Sequence, residues 1–234
     1  MTDFVLLHGA WHGGWCWSRV ADILRARGHR VSTPTQTGLG ERAHLLSPEI
    51  TLQTFCDDLM AHLEFEDAAG VTLVGHSFGG SPISYAAERA PERVGRLVYL
   101  DAAVIFDGET PLDPAAPDVA ALRRQMAADS SGGLTLPAPP AEAMGVRDRA
   151  DAAWIERLMT PHPFRTMETQ LALSGPPGAG KPACYVTCTD PHYSKLEYAH
   201  ARARDLGWAM AELAAGHDAM VTSPEALADL LEAE

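Results

Sequence analysis

Lysine is nearly absent from this chain. Lys181 and Lys195 are the only two in 234 residues, and with arginine they make 18 basic side chains against 31 acidic ones, a formal net charge of −13. A protein with so few dispersed cations cannot build a stripe that follows a phosphate backbone, which excludes nucleic acid as a partner. Long apolar runs are also missing. No stretch reaches the ~20 residues of a membrane-spanning helix. The opening Met1-Thr2-Asp3 runs into Phe4-Val5-Leu6-Leu7 with neither the basic region nor the apolar length of a secretory signal. The expectation is a soluble, cytoplasmic protein with no membrane partner. Cysteine is scarce too. Cys16, Cys56, Cys184 and Cys188 could pair arithmetically, but a reducing compartment and a sizeable core leave disulfides little to do, so all four read as reduced packing residues. The arginine- and alanine-rich, lysine-poor usage points to a GC-rich bacterial source.

What is present describes one compact domain carrying an insertion. The chain is long enough to bury about 70 % of its extended surface. It is 46% hydrophobic, with 20 Gly and 17 Pro spread along it, a globular and turn-rich composition. Short apolar runs alternate with stretches of helical period, the pattern of a mainly parallel sheet wrapped by helices. The strands are expected at Phe4 to His8, His29 to Thr33, Val71 to Gly75, Val94 to Asp101, Ala183 to Cys188 and Trp208 to Leu213. Helices are expected from Ser18 to Arg27, from about Thr51 with Leu52, Phe55, Leu59 and Leu63 on one face, from Ser77 to Ala90, and after Ser223-Pro224. Residues 102–170 break the alternation. They hold Pro-rich turns and two helical patches, Val119 to Met126 and Ala152 to Leu158, and connections this long inside a compact domain are usually lids or binding elements. The expected organisation is a core of residues 1–101 and 171–234 with a helical cap of residues 102–170.

The chemistry concentrates at Gly75-His76-Ser77-Phe78-Gly79-Gly80, which follows the apolar Val71 to Val74 and precedes a helical pattern. A serine hydroxyl is a poor nucleophile unless a sharp strand-to-helix turn presents it to a base, and glycines two residues to either side permit that turn. Ser77 is therefore the candidate nucleophile. The oxyanion of an acyl-transfer intermediate would be held by the N–H of the residue after it, Phe78, and by an N–H of the loop after the first strand, Ala10. The base must sit on a loop after the last strand, and in Ala215-Gly216-His217-Asp218 that residue is His217. His192 and His200 are read as surface histidines. The acid that orients the base belongs just past the preceding strand, in Cys188-Thr189-Asp190-Pro191, which selects Asp190. Asp101, which also ends a strand, is the chief rival.

Two decoys are set aside. His8 and His12 lie four apart, but on a strand end and glycine loop with no third ligand, so no metal is expected. Gly175 to Lys181 matches most of a nucleotide-binding loop, yet Pro182 stands where Ser or Thr is required, and a strand follows instead of a helix.

The opening block Phe4 to Trp15, the Gly75 to Gly80 elbow, Val186 to Asp190 and Gly216-His217 together resemble the plant methylesterase and hydroxynitrile lyase family of α/β-hydrolases and its small bacterial esterase relatives. The likeness spans both ends of the chain and is weakest over residues 102–170. It implies an α/β-hydrolase fold with a helical cap and a cofactor-free triad of Ser77, Asp190 and His217. It also separates two chemistries, because the lyases carry threonine at the position of Gly9 and lysine at that of Asp218. The plant esterases usually place methionine at Asp218.

The resulting expectation is hydrolysis of a carboxylic ester, or a related carbamate or activated amide, through an acyl-enzyme. Trp11, Phe106, Trp154, Phe164 and Met167 are candidate contacts for a small to medium hydrophobic or aromatic group. The alternatives are a hydroxynitrile lyase or lactone hydrolase on the same triad, or a receptor-like binder with little turnover. Partners are limited to the small-molecule substrate and, in a homodimer, a second copy of the chain.

Overall fold

In a computed structural model, which describes residues 1–233, six parallel strands form one sheet: β1 (Asp3–Leu7), β2 (Arg30–Ser32), β3 (Val71–His76), β4 (Val94–Leu100), β7 (Ala183–Cys188) and β8 (Ala209–Leu213), in the spatial order β2-β1-β3-β4-β7-β8. All six lie within two residues of their expected bounds. Every residue of β3 is buried, as befits a central strand covered on both faces, and this is why it reads as an unbroken apolar run. Register brings the functional ends into line. Leu7 pairs with Gly75, His76 with Leu100, and Cys188 with Leu213, so the loops after β1, β3, β4, β7 and β8 all emerge at one edge. In open parallel sheets the ligand crevice forms outside these carboxyl ends.

The strand period of two sorts the core into two layers. Phe4, Leu6, Val74, Val98 and Leu100 face Val20 and Leu24 of α1 (Ser18–Ala26) and Leu227 and Leu231 of α9 (Pro224–Ala233). Their neighbours Val5, Leu7, Leu73, Leu97 and Tyr99 face Leu59 and Leu63 of α2 (Leu52–Phe65), Ile83 of α3 (Gly80–Arg89) and Ala199 of α7 (Glu197–Asp205). The start of α2 is fixed by Thr51, whose N–H donates to the Thr54 hydroxyl at 3.1 Å in a reciprocal cap.

Between β4 and β7 lie α4 (Pro117–Ser131), α5 (Arg149–Leu158), α6 (Arg165–Glu168) and an antiparallel ribbon of β5 (Thr135–Leu136) with β6 (His162–Pro163). The ribbon departs from the expectation of a strand-free insertion, since two-residue strands carry no readable period. The insertion shares its core with the rest of the chain. Ile105, Leu136 and Phe164 pack with Phe55 of α2 and with Phe78 of the elbow, and Ile155 of α5 joins the α1 layer. The short α8 (Ala219–Thr222) connects the loop after β8 to α9. No helix among the described residues is long and apolar enough to cross a membrane.

Candidate active site

The elbow after β3 forces Ser77 into the left-handed region, with φ +51°. Such a conformation costs of order 1–3 kcal/mol for a non-glycine residue and persists only where its surroundings impose it. Here they do. A Cβ at Gly75 would stand 2.7 Å from the Gly79 carbonyl oxygen, and one at Gly9 would stand 2.7 Å from the Ser77 Cβ, so neither position admits a side chain. The Ser77 carbonyl accepts from the Ala103 N–H at 2.8 Å, which ties the elbow to the loop after β4.

Ser77 Oγ lies 3.0 Å from His217 Nε2, and His217 Nδ1 lies 2.7 Å from Asp101 Oδ2. The carboxylate can only accept, so Nδ1–H donates to it and Nε2 presents its lone pair to the serine O–H. His217 and Asp101 are 3% and 2% exposed. Asp101 also has a positive φ, +42°. That turn, directly after its N–H completes the ladder by donating to Val186 O at 2.8 Å, swings the carboxylate over the elbow and onto the histidine.

The carboxylate on His217 is thus the rival, Asp101, and the expectation for Asp190 is corrected. The backbone of Asp190 does follow β7 toward the His217 loop, its N–H donating to Ala215 O at 3.0 Å. Its side chain turns outward to Arg147 at 3.1 Å, and both are about two-thirds exposed. The flank of the imidazole on that side is taken by Tyr193, whose ring stacks on His217 at 4.0 Å and 17°. Burial pushes the Tyr193 phenol up to about 12, so it stays neutral.

A second carboxylate and imidazole pair lies beneath the first. His12 Nε2 is 3.2 Å from Asp218 Oδ2, and His12 Nδ1 is 2.7 Å from Ala10 O. Both partners accept, so the ring donates from both nitrogens, the hydrogen-bonding pattern of an imidazolium. Burial by itself would lower the His12 pKa, but the Asp218 charge and hydrogen bond outweigh it and hold it above the usual value. Burial by itself would raise Asp218, and His12 first, then His76 and His217, draw it below the usual carboxylate range. His76, pushed well below its ordinary value by burial and then by the neighbouring His217, donates from Nε2 to the His217 carbonyl at 3.0 Å. His8 is satisfied as a neutral ring. It donates to Gly9 O at 2.8 Å and accepts from the Gln36 N–H at 3.0 Å, and burial lowers it to about 3.

These pairs anchor two backbones. The oxyanion candidates Ala10 and Phe78 line the same cavity of about 340 Å³ as Ser77. The loop that carries Ala10 is locked to the His217 loop through His12 and Asp218, and to the insertion through Trp11, whose Nε1–H donates to Leu136 O at 3.1 Å and whose carbonyl accepts from Thr160 at 2.9 Å. Of the five expected substrate contacts, Trp11 and Met167 line the cavity. The other three do not. Phe164 is spent in the apolar layer beneath it, Trp154 packs edge-on against Trp15 at 5.3 Å, and Phe106 lies under the Arg202 guanidinium at 5.0 Å. Most of the other lining residues were not expected from the sequence, among them Tyr193, Arg123 and Lys195. Their only sequence signal was a place in the insertion or in the loop after β7.

With this geometry in view, the comparisons with known proteins agree on the family. The description "Alpha/beta hydrolase family" matches residues 4–230. A carbendazim hydrolyzing esterase of Nocardioides is 40% identical over 100% of this chain and 99% of its own length. A putative chloroplastic methylesterase of Arabidopsis thaliana is 35% identical over 54% of this chain and 36% of its own length. An extracellular α/β-hydrolase from a Paenibacillus species superposes with a TM-score of 0.85 at 25% identity, covering 99% of this chain and 98% of the other. From its sheet order and elbow to these relatives, the chain belongs to the alpha/beta hydrolase family.

Proposed function

We propose that this chain is a serine esterase that cleaves a small to medium carboxylic ester, or a related carbamate or activated amide, through an acyl-enzyme. The observation that carries the reading is the hydrogen-bonded series Ser77, His217, Asp101, with spacings of 3.0 and 2.7 Å, which runs inward from a serine that lines a cavity. Ser77 Oγ attacks the ester carbonyl carbon while its proton passes to His217 Nε2. Asp101 holds the ring in the tautomer that can receive it and stabilises the imidazolium. The N–H groups of Ala10 and Phe78 take the oxyanion. The imidazolium returns the proton to the departing alcohol, and water repeats the sequence to release the acid and regenerate Ser77.

The esterase names of the relatives support this reading. The lyase alternative is disfavoured by space, since a threonine Cβ at Gly9 would fall 2.7 Å from the Ser77 Cβ and 3.0 Å from His76 Nδ1. Asp218, buried against His12, occupies the lyase lysine position with the opposite charge.

The test is burst release and turnover of short-chain and aromatic p-nitrophenyl esters, with carbendazim included in the panel, by the wild type beside Ser77→Ala. Turnover by the wild type that falls by about 10⁴-fold or more in the variant is expected for loss of the nucleophile. No turnover of any member by a folded wild type would overturn the esterase reading.

A further inference from the structure

Acidic side chains outnumber basic ones 31 to 18 in this chain, yet the cavity at Ser77 reverses the sign. Its lining contains no aspartate or glutamate and two cations, Arg123 and Lys195. They come from different elements. Arg123 lies one turn after Val119 on α4, and both side chains reach the same cavity; Lys195 follows Tyr193 in the loop after β7.

Neither cation is neutralised. Among the described residues Arg123 has no hydrogen bond or ion pair, and Lys195 has only the Tyr193 ring, 5.3 Å from its ammonium. The contrast with the adjacent position is informative. Arg124 turns to the outside of α4 and pairs with Glu168 at 2.7 Å, while half-buried Arg202 is held by Glu109 and Arg42 by Asp58. A partly buried guanidinium is ordinarily matched in this way, because desolvating a charge without a counter-ion is costly. The two cations also oppose each other: burial, and then the charge of Arg123, lower the Lys195 pKa. Lys195 is exposed and Arg123 partly buried, and an anion entering the cavity would offset their mutual repulsion and supply the counter-ion that the guanidinium lacks.

We infer that Arg123 and Lys195 form an anion subsite of the cavity, so that the preferred ester carries a carboxylate on its acyl or its alcohol part. This inference rests on the esterase reading for its chemistry but not for its binding. A guanidinium can take a carboxylate through two parallel N–H donors, while the ammonium supplies a mobile point charge, a combination that selects for charge while tolerating variation in length. The apolar remainder of the cavity, Trp11, Val119 and Met167 among it, accommodates the linking hydrocarbon.

Matched esters that differ in one carboxylate test the subsite. Phenyl hydrogen glutarate beside phenyl pentanoate places the charge on the acyl side, and 4-acetoxybenzoate beside phenyl acetate places it on the alcohol side. The wild type is expected to favour the charged member of at least one pair by about tenfold in kcat/KM, the scale of one hydrogen bond to a charged group. Arg123→Gln and Lys195→Met should each pull that ratio toward one. Half-molar salt should raise KM for the charged member alone. Equal or better use of the neutral member in both pairs, with ratios that neither variant moves, would overturn the subsite.

Calorimetry separates this outcome from failure of the esterase reading. Ser77→Ala, its fold checked by circular dichroism, should bind phenyl hydrogen glutarate more tightly than phenyl pentanoate, and adding Arg123→Gln should remove the difference. That result without turnover by the wild type would leave the subsite standing and the esterase reading refuted. Equal binding of the two would refute the subsite whatever the turnover.

Discussion

Just past the ends of β4 and β7 the chain presents the same residue type and uses it in opposite ways. Asp101 closes β4 with a left-handed turn, is 2% exposed and meets His217 at 2.7 Å; Asp190 follows β7, is 65% exposed and meets Arg147 on the surface. Both backbones are held at the same edge of the sheet, Asp101 by its N–H on Val186 O and Asp190 by its N–H on Ala215 O, two residues before His217. What separates them is the direction of the side chain, set at β4 by a strained φ and at β7 by Tyr193 occupying the flank of the imidazole. A strand end therefore supplies a position, and the turn that follows decides whether it becomes part of a site.

The largest effect that can break this comparison is on turnover. Asp101→Asn leaves an amide beside His217 that can donate to Nδ1 and so favours the wrong tautomer; kcat should fall by about 10⁴-fold, the size found when this substitution is made in a serine protease triad. Asp190→Asn removes an exposed ion pair worth at most about 1 kcal/mol, and kcat should stay within about twofold of wild type. Steady-state kinetics on one p-nitrophenyl ester measures both. The opposite order would show that the β7 loop refolds around bound substrate and that Asp190 becomes the working acid.

How far the sequence could anticipate this depends on distance along the chain. The elbow was legible because strand, Gly75, Ser77, Gly79 and helix are contiguous, and each residue type has a local steric reason. The four inner strands β1, β3, β4 and β7 were legible because burial on both faces writes an apolar run, while the edge strands β2 and β8 are only partly buried and were legible from their place between helical stretches. His217 was legible from its place between the last strand and a capped helix. The choice between Asp101 and Asp190 was not, because both end strands at the same edge and the deciding contacts, with His217 and Tyr193, belong to the tertiary structure. The link between His12 and Asp218 crosses 206 residues and has no local signature. Arg123 reads as any other helical arginine until α4 is packed over the cavity.

The next effect is on stability and concerns the deeper pair. Replacing Asp218 by Asn leaves His12 buried without its counter-ion, a loss of about 3 kcal/mol or more when one partner of a buried pair is removed. The pH dependence follows from the two shifts. Asp218 lies below the usual carboxylate range, so its contribution is present above the unfolded carboxylate value and is lost as pH falls through the folded one. His12 lies above its usual 6.5, so its contribution is complete below that value and is lost as pH rises through the folded one. The gap between wild type and Asp218→Asn should therefore be widest at about pH 5 to 6 and narrow on both sides. Urea unfolding at a series of pH values reads it directly. A gap that is flat from pH 5 to 9 would show that Asp218 does not change the proton uptake of His12, against the ion pairing of the two.

The smallest effect concerns why the carboxylate after β7 does not meet His217. If Tyr193 earns its place by holding the imidazole between its ring and the Asp101 carboxylate, then Tyr193→Leu, which keeps apolar bulk but removes the stacked ring, should lower kcat by about three- to tenfold, the worth of one aromatic pair. Tyr193→Phe should retain the rate, since the stack at 4.0 Å and 17° requires the ring and not the hydroxyl. The double variant Tyr193→Leu with Asp190→Asn discriminates further. With the flank cleared, Asp190 gains a route toward His217, and a double variant slower than the product of the two single effects would show that it takes that route. Additive effects would mean that Asp190 stays on Arg147 even when the flank is open, and that the turn at Asp101 alone accounts for the difference between the two strand ends.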